Sequence, residues 1–362
     1  MPFGLPGLGV NSLVLMKHEA TYGTAATSAA EYASEIVSAE ITPRLSTIVD
    51  PSLSNTQRSS RFIGQGGQYY EWSVKVRAGY NGMLPWIRMM FPCYASTVNE
   101  ATARTHTFKE IAPAGTIGMP AAGYGQVQWG WTIDILWGNV SLAGTGKPTR
   151  LIGALATGLR FTAQAGTGEN AMLMCEISGV CKSVTPALPS GALTSVSLPA
   201  ALGVLYHQQL RATAGQFGIG TGTAQDEIQM KSMEVNITQP FDLQRFLFGQ
   251  VNAESPVPNG IMDCTFNMEL EYKNETEFVS MLAGGGATIK YLFQNPVIIA
   301  GATTLKPEFE IHALVPTAAE YSTAVPGYGV ITQRLSHKAA WSTTDSSAVV
   351  VRVQNVETAM PF

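Results

Sequence analysis

Two short segments of this chain set charged side chains at a spacing that could do chemistry. In Trp72-Ser73-Val74-Lys75-Val76-Arg77 apolar and polar residues alternate, so on a strand Lys75 and Arg77 share one face with Ser73. Asn267, Glu269 and Glu271 share a face in the same way. Paired carboxylates can act as acid and base or hold a cation, yet no partner stands at a recognisable catalytic spacing. A solvated strand face is the plainer reading. The five histidines are His18, His106, His207, His312 and His337, and none forms the i,i+4 pair with an intervening glutamate that binds catalytic zinc. There is no G-x-S-x-G elbow and no phosphate-loop lysine. Gly218-Ile219-Gly220-Thr221-Gly222 superficially suggests a phosphate loop, but its glycine spacing is wrong and no strand–helix frame surrounds it, so a flexible loop is expected. Cys93, Cys175, Cys181 and Cys264 lack metal-site spacing and read as reduced, mostly buried thiols. Trp129 and Trp131, with Asp134 and Trp137 close behind, could form a sugar platform. Large aromatics also dominate cores and contacts, which is the better reading here. Nothing supports catalysis, a metal or a cofactor.

The elements that would position these residues are mostly strands. They are short, rich in Val, Ile, Thr, Phe and Tyr, and bounded by Gly, Pro and Asn. Leu159-Arg160-Phe161-Thr162-Ala163 alternates, and Val349-Val350-Val351-Arg352-Val353 is more continuously apolar. Helices are expected only at residues 83–91, where Pro85 falls in the opening turn, and 275–282, with Asn274 as N-cap. Charged residues make up 13% of the 362, about half the share in an ordinary soluble domain. Such a surface suits a protein whose faces are covered by other copies of itself. The net charge of −4 leaves no basic excess for tight nucleic-acid binding. No signal peptide and no membrane span is expected.

An internal repeat organises the chain. Ile36-Val37-Ser38-Ala39-Glu40-Ile41-Thr42 resembles Met230-Lys231-Ser232-Met233-Glu234-Val235-Asn236 at an offset of 194. At that offset Gly66 meets Gly260, Trp72 meets Phe266, Val74 meets Met268, Val76 meets Leu270, Leu84 meets Phe278 and Ile87 meets Met281. The expected layout is an extended arm over residues 1–25, a first domain over 26–185, a Pro- and Gly-rich linker over 186–224, and a second domain over 225–362. In the repeat, Glu269 and Glu271 occupy the places of Lys75 and Arg77, so two equivalent faces carry opposite charge. Such faces could meet between subunits and fix their register.

The order of motifs resembles the tail tube proteins of long-tailed bacteriophages. Glu19-Ala20-Thr21-Tyr22-Gly23-Thr24 is similar to an E-x-x-Y-G-T start found in one branch of that family. An arginine-containing loop (Arg58, Arg61), Gly66-Gly67, the alternating strand, a G-x-L-P-x-I helix start at residues 82–87 and Thr105-His106-Thr107-Phe108 follow in order. The match is good over residues 18–110 and looser beyond. The chain is about twice a minimal tube domain. The resemblance implies a mainly β fold of two tandem β-sandwich or half-barrel domains, each with a short flanking helix, completing a β-barrel between subunits. It implies stacked rings around a lumen that conducts DNA non-specifically into the host. Three copies with pseudo-sixfold symmetry are preferred, and six are the fallback. Other tail proteins would be partners, and the protein would be made in the host cytoplasm and end in the virion tail. Ser38, Glu40, Thr42, Ser232, Glu234 and Asn236 are candidates to line the lumen. Competing readings are a tail terminator or capsid-decorating subunit, which closes as a single ring, and a carbohydrate-binding β-sandwich module.

Overall fold

The computed structural model describes residues 13–27, 30–49, 63–91, 93–100, 103–110, 130–137, 149–168, 171–185, 193, 203–206, 209, 217–220, 230–242, 252, 257–271, 287–295, 299, 305–315, 318–324, 330–345 and 347–358. The chain begins with β1 (Leu13–His18), β2 (Tyr32–Glu35), β3 (Ser38–Val49), β4 (Ile63–Arg77) and α1 (Leu84–Met90). Next come β5 (Cys93–Glu100), β6 (Ala103–Lys109), β7 (Trp131–Leu136), β8 (Thr149–Gln164), β9 (Met174–Cys181) and β10 (Ser183–Thr185). Then follow β11 (Phe217–Gly220), β12 (Met230–Thr238), β13 (Phe241–Asp242), β14 (Val257–Pro258) and β15 (Asp263–Glu271). The last are β16 (Ala287–Gln294), β17 (Glu308–Val315), β18 (Ala318–Ala324), β19 (Thr332–Lys338) and β20 (Val349–Asn355).

Eight strands lie side by side, all antiparallel, in the order β3-β4-β9-β8-β12-β15-β19-β18. The long β8 serves two neighbours on one edge. Its residues 158–164 pair with β12, and 149–154 pair with β7, which leads on to β1 and β2. A second antiparallel sheet has the order β11-β16-β17-β20-β6-β5. The fold is a mainly β sandwich, with no closed barrel among the described residues.

Period-two alternation puts the apolar side of strands such as β4, β12 and β15 in the core. β15 alternates without a break, burying Cys264, Phe266, Met268 and Leu270. Trp72, Val74 and Val76 are buried on β4, as expected. Phe161 meets Phe309 across the layers at 5.5 Å between ring centroids, and Phe266 meets Tyr291 at 5.8 Å. Buried side chains from both halves of the chain form one continuous core.

The 194-residue repeat holds at the level of register. Ser38 pairs with Lys75 between β3 and β4, and Ser232 with Glu269 between β12 and β15. β5 and β16 also begin and end 194 residues apart. The second sheet does not repeat this order, because β20 lies between β17 of one half and β6 of the other. The residues expected to form an extended arm include β1, whose Val14, Leu15 and Met16 are buried between β2 and β7.

α1 occupies residues 84–90 of the expected 83–91. Pro85 lies in its first turn, where a missing N–H costs nothing. Gly82 enters it with a φ of 82° and donates its N–H to Glu357 (2.9 Å). All seven helical residues are buried, and Trp86 donates to Ser34 of β2 (3.2 Å). The second expected helix, 275–282, lies outside the described residues, as do Arg58 and Arg61.

Two expectations change. Residues 217–220 are not a loop but strand β11, paired with β16. Phe217 and Ile219 alternate with the glycines, and the ladder satisfies the backbone that the glycines would otherwise leave free. The sugar platform is also absent as drawn. Trp131 is 2% exposed, and Asp134 is fully buried in a two-bond ion pair with Arg150 (both 2.7 Å). Trp129 lies outside the described residues.

The E-x-x-Y-G-T motif has a local cause. The carboxylate of Glu19 is buried and accepts hydrogen bonds from Gly23 N–H (2.7 Å), Gly153 N–H (2.8 Å) and the Thr132 hydroxyl (2.9 Å). Gly23 turns there with a φ of 71°. Burial raises the Glu19 pKa, and the three hydrogen bonds oppose the rise.

Candidate functional site

The outer face of the eight-stranded sheet is polar from edge to edge. Because side chains alternate, the residues whose neighbours fill the core must project the other way. Ser38, Glu40 and Thr42 on β3, Lys75 and Arg77 on β4, Ser232, Glu234 and Asn236 on β12, and Glu269 and Glu271 on β15 all share this face. The structure therefore brings the lumen candidates and the charge-pairing candidates onto one surface. Lys75 and Arg77 are separated from Glu269 and Glu271 by β9, β8 and β12, and the two sets do not meet within the chain.

Cross-strand neighbours pair the charges within the face. Arg160 of β8 reaches Glu234 at 2.9 Å and Glu176 of β9 at 3.8 Å. Arg334 of β19 reaches Glu269 at 3.2 Å, Lys338 reaches Asp263 at 2.8 Å, and Arg44 reaches Glu71 at 2.7 Å. Lys231 lies 3.9 Å from Glu271. The hydrogen bond to Glu234 raises the Arg160 pKa, with Glu234 and Glu176 adding their charge. The exchange of sign between the halves is thus local. Lys75 stands opposite Glu176 on the next strand, and Glu269 stands opposite Arg334 in the same register. Each half keeps a cation beside an anion but swaps which strand carries which.

The face is also concave. A shallow trough of about 630 Å³ is lined from seven of the eight strands, including Lys75, Thr162, Glu234, Glu269, Ser322 and Arg334. A second hollow of about 490 Å³ is lined by Glu40, Thr42, Arg44 and Glu71 beside Gln239.

Arg160, Glu176 and Arg334 are central to this surface but were not among the candidates. Arg160 was visible in the alternation of residues 159–163. Arg334 was hidden, because β19 buries Gln333, Leu335 and His337, so its inner side is not uniformly apolar.

The described residues thus present a sheet built from a repeated unit, with paired charges on its hollowed polar face. The family model for phage tail tube proteins matches residues 9–313, and the chain belongs to that family. A search of curated proteins returned no match. The family places the chain among structural components of the phage tail, which assemble with copies of themselves and with other tail proteins. No helix among the described residues is long and apolar enough to cross a membrane.

Proposed function

We propose that this protein polymerises as stacked rings whose concave polar face lines a lumen that conducts DNA. The observation that carries this reading is the continuous eight-stranded sheet whose hollow face carries hydroxyls, amides and mutually paired charges. A conduit must not hold its cargo. Each free cation on the wall would gain attraction to phosphate by releasing counterions. Cations already engaged by carboxylates offer less of it.

The strand number favours three copies. Three copies of eight strands give twenty-four in a closed barrel. At a spacing of about 4.8 Å and a tilt up to about 40°, the backbone cylinder would be about 37–48 Å across. That leaves room for duplex DNA inside a layer of side chains, whereas six copies would double the width. Ser38, Glu40, Thr42, Ser232, Glu234 and Asn236 then face the lumen together with Lys75, Arg77, Glu269 and Glu271. In this arrangement the last four line the wall, and contact between facing subunits is the lesser role for them.

Negative-stain electron microscopy of concentrated protein tests the reading. Hollow tubes with a regular axial repeat support it, and isolated single rings favour a terminator or decorating subunit. In phage carrying Glu40→Lys with Glu234→Lys, DNA ejection should slow; unchanged ejection argues against a lumen position.

A further inference from the structure

The junction between the two halves of one chain is a template for the junction between neighbouring copies. Going across the sheet, β3, β4, β9 and β8 correspond in order to β12, β15, β19 and β18. The registers agree at every step. Ser38 opposite Lys75 becomes Ser232 opposite Glu269, and Lys75 opposite Glu176 becomes Glu269 opposite Arg334. Glu176 opposite Arg160 becomes Arg334 opposite Ser322. One irregularity matches as well: the register shift between Ala156 and Gly158 on β8 recurs between Ala318 and Glu320 on β18. Within the chain the last strand of the first unit, β8, pairs with the first strand of the second, β12. Among the described residues β18 and β3 each have a strand on one side only.

We infer that β18 of one copy pairs antiparallel with β3 of the next in the register of the β8–β12 junction. This rests on the tube reading, to which it adds the edges and the register. Asn236 opposite Arg160 maps to Thr42 opposite Ser322 of the neighbouring copy. Val235 opposite Phe161 maps to Ile41 opposite Thr323, and Glu234 opposite Thr162 maps to Glu40 opposite Ala324. The edge itself shows what is missing. Met233 and Val235 of β12 are 3% and 0% exposed, but their counterparts Ala39 and Ile41 on β3 are only half-buried. Leu45, farther along the same strand, is 59% exposed. Pro43, the counterpart of Ile237, has no N–H to offer, so one ladder bond is absent from the intermolecular pair; proline on an open edge also discourages pairing in a wrong register.

Cysteine pairs test this directly. In Cys93→Ser background, Thr42→Cys with Ser322→Cys places two thiols at directly opposed positions, where the Cα spacing suits a disulfide. Arg44→Cys with Ala324→Cys is the control, four residues out of register and thus about 13 Å apart. Both variants should assemble like the parent when reduced. After oxidation of assembled particles, the matched pair should give a covalent ladder in denaturing gels that ends at the ring number, and the control should stay monomeric. A ladder from the control, or none from the matched pair in well-formed tubes, overturns the register while the tube reading stands. Protein that stays monomeric even beside the other tail components overturns both.

Discussion

Replacing Glu310 with glutamine should destabilise the protein by about 3 kcal/mol at neutral pH, and the loss should vanish in acid. Glu310 is 9% exposed on β17. Burial alone would raise its pKa, but the His312 ring nitrogen at 2.7 Å, Lys290 at 3.2 Å and Arg352 at 2.9 Å outweigh burial and pull it down to about 2. These partners tie β17 to β16 on one side and β20 on the other. A fall from 4.5 to about 2 corresponds to about 3 kcal/mol at about 1.4 kcal/mol per pH unit. Because the folded pKa lies below the unfolded one, this stability is complete above pH 4.5 and is lost as the pH falls toward 2. For a chain of 362 residues, 3 kcal/mol moves the melting temperature by about 4 °C. Thermal unfolding of Glu310→Gln and parent, measured by circular dichroism from pH 7 to pH 2.5, should show a gap of that size that narrows steadily below pH 4.5. A gap that is the same at both ends, or no gap at pH 7, would refute the reasoning.

Glu19→Ala strands the buried N–H of Gly153 and the half-buried N–H of Gly23, so it should cost about 3 kcal/mol, read as a fall in urea midpoint. Gly179→Ala should be at least as damaging, because a Cβ there would collide with the Leu155 carbonyl and lie 2.6 Å from the Trp72 ring; a soluble variant with the parent's melting temperature would contradict the packing. In the native monomer, a maleimide should label Cys93 well before Cys175, Cys181 and Cys264, whose burial pushes their thiol pKa values up, and all four should react in urea. Arg160→Ala removes the cation that Glu234 and Glu176 share on the polar face, so it should leave folding within about 1 kcal/mol, the usual worth of an exposed pair, as checked by thermal unfolding.

Alternation by itself determined much of this protein. Trp72, Val74 and Val76 had to face one way and Ser73, Lys75 and Arg77 the other, because a strand has no third side. The 194-residue offset likewise followed from the order of residues, since equivalent strands need equivalent inward side chains. Pro85 and Gly82 marked the start of α1 through their own backbone limits. Other features depended on neighbours distant in the chain. Whether Trp131 was a platform or a core residue turned on packing beside His18 and Tyr32, more than ninety residues away. The glycines of β11 became a strand because β16 supplied hydrogen-bond partners, which composition cannot reveal. That Lys75 and Glu269 lie on one face of one sheet within the chain was decided by the pairing of β8 with β12. Strand order is a property of which edges find each other in space, and a local pattern of residues carries no record of that choice.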